Sequence, residues 1–229
     1  MHRHRFDILL GTLVLFLLAM PVIDLLGQGL RAANFVAAAF LVAMLLSAVF
    51  AVSQSRRTAI AALALAVPAI ALRLLNLWFD QDRIMVGEHI LEILFMGYVV
   101  FVLLGHLFSA NRVSFNTICA SLCAYLLLGV LWAMVYSTLD IAQPKSFAFP
   151  LTAESATGMM RFSDEKSVFP IYFSFVTMTT LGYGDIVPTS PIARMLAAME
   201  ALMGQLYLTV LVARLVGMHI SQSRAEKAR

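Results

Sequence analysis

Mostly apolar stretches of span length divide the chain. Ile8–Leu26, Phe35–Val52, Thr58–Phe79, Ile90–Phe108, Ile118–Leu139 and Ala193–Ile220 are separated by short polar connections. A helix needs about 20 such residues to cross a hydrocarbon core, so the pattern predicts six transmembrane helices. A further apolar stretch, Pro170–Thr180, is only about half that length. It follows a polar segment of residues 140–167 that contains Pro144 and Pro150, and it leads directly into Gly182-Tyr183-Gly184. The expected architecture is an all-α membrane protein: six spans plus one helix that enters the membrane part way and returns as a loop. Pro170 suits the first turn of that short helix, where its missing N–H has no partner to lose.

Composition strengthens the membrane reading. Of 229 residues, 61% are hydrophobic and 13% charged, against roughly 25% charged in a soluble domain. The opening Met-His-Arg-His-Arg before an apolar run resembles a secretion signal, but no small-x-small cleavage site precedes Pro21, and the run is kept as the first span. Arg3 and Arg5, Arg56 and Arg57, Arg112, and Arg224, Lys227 and Arg229 fall at both ends and on alternate connections. The positive-inside tendency then puts both termini in the cytoplasm. Asp24, Asp80, Asp82, Asp140, Glu154, Asp164 and Glu165 lie on the opposite connections. The net charge of +3 is this bias, and no nucleic-acid partner is implied. Cys119 and Cys123, spaced i, i+4 on one helix, are read as apolar filler and not as a disulfide.

The chemistry concentrates after the half-length helix. Non-helical backbone at membrane depth must be buried in protein or line a water-filled space. A desolvated cation would use such carbonyls, whose partial negative charge can replace its hydration shell. Gly182 and Gly184 permit backbone angles that a Cβ resists, so successive carbonyls can turn toward one axis. A bare Gly-Tyr-Gly is otherwise no more than a turn signal. The C-terminal end of the short helix, carrying about half a negative charge, would further favour a cation.

Thr177-Met178-Thr179-Thr180-Leu181-Gly182-Tyr183-Gly184-Asp185 resembles the pore signature of the potassium channel family, and the likeness covers about residues 115–220. The resemblance implies a selectivity filter in which the carbonyls of Thr180, Leu181, Gly182 and Tyr183, with the Thr180 hydroxyl, hold dehydrated K⁺, and Gly184 completes the loop. Leu181 replaces the family's commoner valine. One loop per chain implies a homotetramer, three further copies around the pore axis. By the family pattern Tyr172 reaches Asp185 through a hydrogen bond, and Gly204 matches the inner-helix hinge. A close-packing glycine is the equal alternative at position 204. K⁺ is the permeant ion and no cofactor is expected.

Glu200 lies inside the last span, where a carboxyl needs a partner. It is expected to hydrogen-bond a pore-helix hydroxyl such as Thr177 or Thr179, in protonated form if need be, with a cavity-facing ring of four carboxylates as the rival. Gln205, Leu208 and Val212 are the candidates for lining the inner cavity. Arg214 is read as snorkelling to the headgroups, with a gate contact as the alternative. Arg73 is expected to pair with Glu92. His89 and His106 lack the companions of a metal site.

The resulting division is a four-helix domain at 1–110, a pore domain at 111–220 and a short cytoplasmic tail at 221–229. Within the pore domain the outer helix is 115–139, the turret 140–167, the pore helix 170–180, the filter 180–185 and the inner helix 191–220. No Lys or Arg lies between Arg83 and Arg112, so the fourth helix has no charge ladder for a voltage to move. Weak or absent voltage dependence is expected, as is the lack of a soluble regulatory domain in this chain. The location implied is a plasma membrane, of a prokaryote. The reading is passive K⁺ conduction. A non-conducting sensor or scaffold and a less selective cation channel are the alternatives. No catalytic constellation suggests an enzyme.

Overall fold

The computed structural model describes residues 5–26, 31–53, 55–79, 82–109, 114–149, 162 and 168–227. Within them the chain forms helices α1 (Arg5–Leu26), α2 (Arg31–Val52), α3 (Arg56–Phe79), α4 (Asp82–Ser109) and α5 (Phe115–Ala142). Strand β1 (Phe147–Ala148), the short helix α6 (Phe169–Met178), strand β2 (Val187–Pro188) and the long helix α7 (Pro191–Lys227) follow. An α-helix satisfies its own backbone, which a bilayer demands. Among the described residues, five segments are long and apolar enough to cross: Arg5–Ile23, Arg56–Leu75, Val86–Ser109, Phe115–Ala142 and Pro191–Arg214. The apolar stretch described in α2, Ala38–Val52, is shorter than a span.

Helix ends and one strand pair differ from the sequence expectation, α5 for instance running to Ala142 where 139 was expected. α7 continues to Lys227, so residues 221–227 of the predicted tail are helical. The short helix ends at Met178, and Thr179 and Thr180 already belong to the turn that leaves it. The all-α expectation also omits one antiparallel strand pair, Phe147 opposite Pro188 and Ala148 opposite Val187. A two-residue ladder leaves no period-2 pattern to read. Most of the predicted turret, including Glu154, Asp164 and Glu165, lies outside the described residues, as do Arg3, Asp80, Arg112 and Arg229.

One core joins the first four helices to α5. Leu9, Leu13 and Phe16 of α1, Met44 and Leu45 of α2, Met96, Val99 and Leu103 of α4 and Cys123, Ala124 and Leu127 of α5 all bury into it. Both cysteines are buried and unbridged, as expected of filler. Thr12 and Ser47 share a 2.7 Å hydrogen bond between α1 and α2. The Tyr98 hydroxyl donates to the Thr58 carbonyl at 3.2 Å, joining α4 to α3.

The predicted Arg73–Glu92 ion pair is replaced by Arg73–Glu88, at 2.7 Å. Both candidate acids of α4 are buried, one turn apart on the same face. The guanidinium reaches the nearer one. Both Glu92 oxygens are buried without a hydrogen-bond partner among the described residues.

Arg214 also departs from expectation. It donates to the Phe108 carbonyl at 2.7 Å and stands 5.2 Å from that ring's centroid, so α7 caps the C-terminal end of α4. Arg5 does the same for α2, donating to Ser53 O at 2.8 Å and lying 5.2 Å from the centre of the Phe50 ring.

Candidate functional site

α6 sits between α5 and α7, held by a buried face of Pro170, Ile171, Phe173, Ser174 and Met178. Ser174 and Met178, at i and i+4, share one side and are both buried. Met178 meets two glycines there. A Cβ on Gly129 of α5 would fall 2.7 Å from Phe175 Cε1 and 3.2 Å from Met178 Cε, and one on Gly204 of α7 would fall 2.6 Å from Met178 Cγ and against the Met178 carbonyl. Gly204 is therefore a close-packing glycine in this structure, within an unbroken helix. That is one of the two readings the sequence left open.

The chain then reverses. Thr179 N–H caps α6 on Phe175 O, Thr180 N–H bonds Thr177 O at 2.9 Å, and the amides of Leu181 and Gly182 turn back to Val176 O at 2.9 and 3.3 Å. Thr180, Gly182 and Gly184 have φ of 59°, 57° and 78°. Left-handed backbone thus recurs at every second residue of the loop. Glycine makes it permissible at 182 and 184. Thr180 adopts it despite its Cβ, which reading the glycines alone does not reveal. Residues 179–184 are all exposed, Leu181 at 55% and Tyr183 at 65%.

Beyond Gly184 the loop is tied down by several contacts. The Tyr172 hydroxyl donates to Asp185 Oδ2 at 2.6 Å, and Asp185 Oδ1 accepts from the amide of Ile186 at 3.1 Å. Just beyond, β2 pairs with β1, and Thr189 N–H donates to Ser146 O at 2.8 Å. An aromatic cluster lies behind: Phe147 stacks on Phe162 at 4.0 Å, and Tyr136 meets Phe173 edge-on at 5.1 Å.

At the start of the loop, Gln205 Nε2 donates to Thr180 Oγ1 at 3.4 Å. Leu208 and Val212, three and seven residues further along α7, share the Gln205 face and are exposed with it.

Glu200 is fully buried, at 0% exposure, so it does not face open space as a carboxylate ring would require. Its partners are Ser174, whose Oγ lies 2.5 Å from Oε1, and Tyr136, whose hydroxyl lies 2.5 Å from Oε2. The expected partners are not used: Thr177 lies elsewhere on α6, and Thr179 lies in the turn after it. Thr179 bonds back to Phe175 O at 2.7 Å, and Thr177 is half-buried. Tyr136 and Ser174 escaped the sequence reading. Their signal was a hydroxyl on each of two apolar helices, since a buried Tyr O–H usually finds a partner. What was missing is the fold that brings positions 64 and 26 residues apart together. Among the described residues, no group of three His, Cys, Asp or Glu side chains could hold a metal ion.

The family model described as "Ion channel" matches residues 89–220, more than half of the chain, beginning within α4 and ending within α7. Among curated relatives, the two pore potassium channel b of Oryza sativa subsp. japonica is 36% identical over 87 residues, 38% of this chain and 20% of that protein. The two pore potassium channel a of the same plant is 32% identical over 108 residues, 47% of this chain and 26% of that protein. Protein LctB of Bacillus caldotenax is 28% identical over 130 residues, 53% of this chain and 92% of that protein. The chain thus spans about a fifth to a quarter of the length of the two plant relatives. No solved structure matches. The matched family is one of ion channels and not of enzymes. On a match that covers α5, the loop and most of α7, the chain belongs to the ion-channel family.

Proposed function

We propose that this chain is one subunit of a homotetrameric, potassium-selective channel whose filter is Thr180-Leu181-Gly182-Tyr183-Gly184. The observation that carries the reading is the alternation of left-handed backbone at 180, 182 and 184. With every second residue so placed, successive carbonyls can present to one side, the arrangement that substitutes for a cation's hydration shell. The intact Gly-Tyr-Gly-Asp and the potassium channels among its relatives favour K⁺ as that cation.

What one subunit leaves uncovered supports this assembly. Leu202, Leu206 and Met195 of α7 are 65%, 63% and 65% exposed beside an exposed filter loop. A cyclic tetramer covers the outer flanks of α7 and puts four loops around one axis. Residues 205, 208 and 212 then line the cavity below it. α6 ends beside Thr180, so four helix C-termini add negative potential there. Tyr172 and Asp185 brace the outer mouth, while Glu200 braces the back of α6. Six spans, with α2 as the second, put both termini in the cytoplasm, and α1–α4 form a helical domain beside the pore. Without a ladder of basic residues on α4, the pore responds weakly or not at all to voltage.

Reconstitution into liposomes loaded with K⁺ tests the reading. Wild-type protein is expected to release K⁺, and Gly182→Ala, which forces a Cβ into a φ of 57°, is expected to abolish release. Equal release by the variant would refute the assignment of this loop as the conduction path.

A further inference from the structure

We infer that Glu200 is held as a neutral carboxylic acid, donating its proton to Ser174 in a relay from Tyr136 through Glu200 and Ser174 to the Gly129 carbonyl that positions the pore helix. The relay deepens the conduction reading, on which its role at the filter rests.

The inference comes from counting protons. Three short oxygen–oxygen contacts follow one another: Tyr136 Oη to Glu200 Oε2 at 2.5 Å, Glu200 Oε1 to Ser174 Oγ at 2.5 Å, and Ser174 Oγ to Gly129 O at 2.7 Å. Each needs one hydrogen between its atoms. Tyr136 and Ser174 supply one apiece, and a backbone carbonyl supplies none. The third must come from Glu200. If Glu200 were ionised, one contact would set two lone pairs against each other in a buried site, a penalty that low dielectric enlarges.

The surroundings agree with the count. No Lys, Arg or His lies within ion-pair distance of Glu200 among the described residues. A buried charge without a partner is costly, whereas a buried acid with every polar atom bonded is not. Protonated, Glu200 accepts once and donates once. Ser174 does likewise, and the chain ends on a carbonyl that cannot donate.

The consequence is mechanical. Ser174 lies one turn before Met178, which packs on Gly204, and the filter begins two residues after Met178. The relay fastens α6 to α5 at Gly129 and Tyr136 and to α7 at Glu200. Glu200, Tyr136 and Ser174 are positioning residues. None of them touches the permeating ion.

Glu200→Gln reproduces the relay atom for atom, its carbonyl accepting from Tyr136 and its amide donating to Ser174. Glu200→Leu removes both contacts. In reconstituted full-length protein at neutral pH, the infrared spectrum of wild type minus Glu200→Gln is expected to show the carbonyl stretch of a protonated carboxyl group. Only carboxylate bands in that difference would overturn the proposal. In the same preparation Glu200→Gln is expected to keep the wild-type K⁺-over-Na⁺ preference. Glu200→Leu should lose on the order of tenfold of it, the scale set by two buried hydrogen bonds. If Glu200→Gln lost as much as Glu200→Leu, Glu200 would be an ionised double acceptor and the relay would be wrong. A protonated band in protein that shows no K⁺ preference would uphold the relay and overturn the filter reading alone.

Discussion

Gly204 of α7 and Met178 at the end of α6 meet so closely that no side chain fits between them. A Cβ on Gly204 would stand 2.6 Å from Met178 Cγ, and the Met178 carbonyl crowds the same position. The backbone carbonyl cannot swing aside as a flexible side chain could. Gly204→Ala is therefore expected to push α7 off α6 and to destabilise the subunit by about 1–3 kcal/mol, the usual cost of overpacking. Thermal unfolding in detergent checks this. A pure hinge would leave the melting temperature unchanged and alter only channel opening.

Tyr172 and Asp185 make the second test. The phenol donates to the carboxylate at 2.6 Å across the outer end of the loop. Tyr172→Phe removes that donor and little volume. Bonds to charged groups contribute roughly 1.5–3 kcal/mol, so the variant is expected to pass through a non-conducting state more readily. Sustained single-channel recording measures it, and open times equal to wild type would remove the brace from the account.

Arg73 and Glu88 form a buried pair at 2.7 Å within the helical domain. Arg73→Met removes the guanidinium that faces the buried Glu88 carboxylate. Breaking a buried pair from one side costs about 3–5 kcal/mol, so a lower melting temperature is expected. Arg73→Met combined with Glu88→Leu is expected to recover much of the loss. A double variant as unstable as the single one would show that the pair is not the origin.

The fourth helix supplies a negative test. One elementary charge moving through 100 mV gains about 2.3 kcal/mol, and α4 has no Lys or Arg between residues 83 and 112 to move. Conductance is expected to vary little with voltage between strongly negative and strongly positive potentials. A steep sigmoidal curve would mean that another element carries gating charge.

What the sequence made legible follows from the physics of each feature. Five of the six expected span-length helices and the half-length helix were visible because a bilayer imposes a fixed thickness on apolar runs. The loop was visible because Gly182 and Gly184 permit a backbone that other residues resist. Glu200 stood out as a carboxyl in a span, but its partners did not. Ser174, Thr177 and Thr179 are all hydroxyls within one short segment, and only the packing of α6 against α5 and α7 selects Ser174. The same limit applies to Arg73, for which Glu88 and Glu92 lie on one face of α4 and helix register decides. Thr180 in left-handed backbone was illegible for a different reason: its residue type disfavours that angle, and the turn around Val176 O imposes it.

The central claim is that the oxygen row at Thr180–Tyr183 replaces the hydration shell of K⁺ better than that of Na⁺. The reversal potential of reconstituted protein, with K⁺ on one side of the membrane and Na⁺ on the other, measures it most directly. A reversal potential far from zero, in the direction that marks K⁺ as the favoured ion, is expected. Reversal near zero with substantial current would mean that the pore passes both ions alike, and would contradict the account.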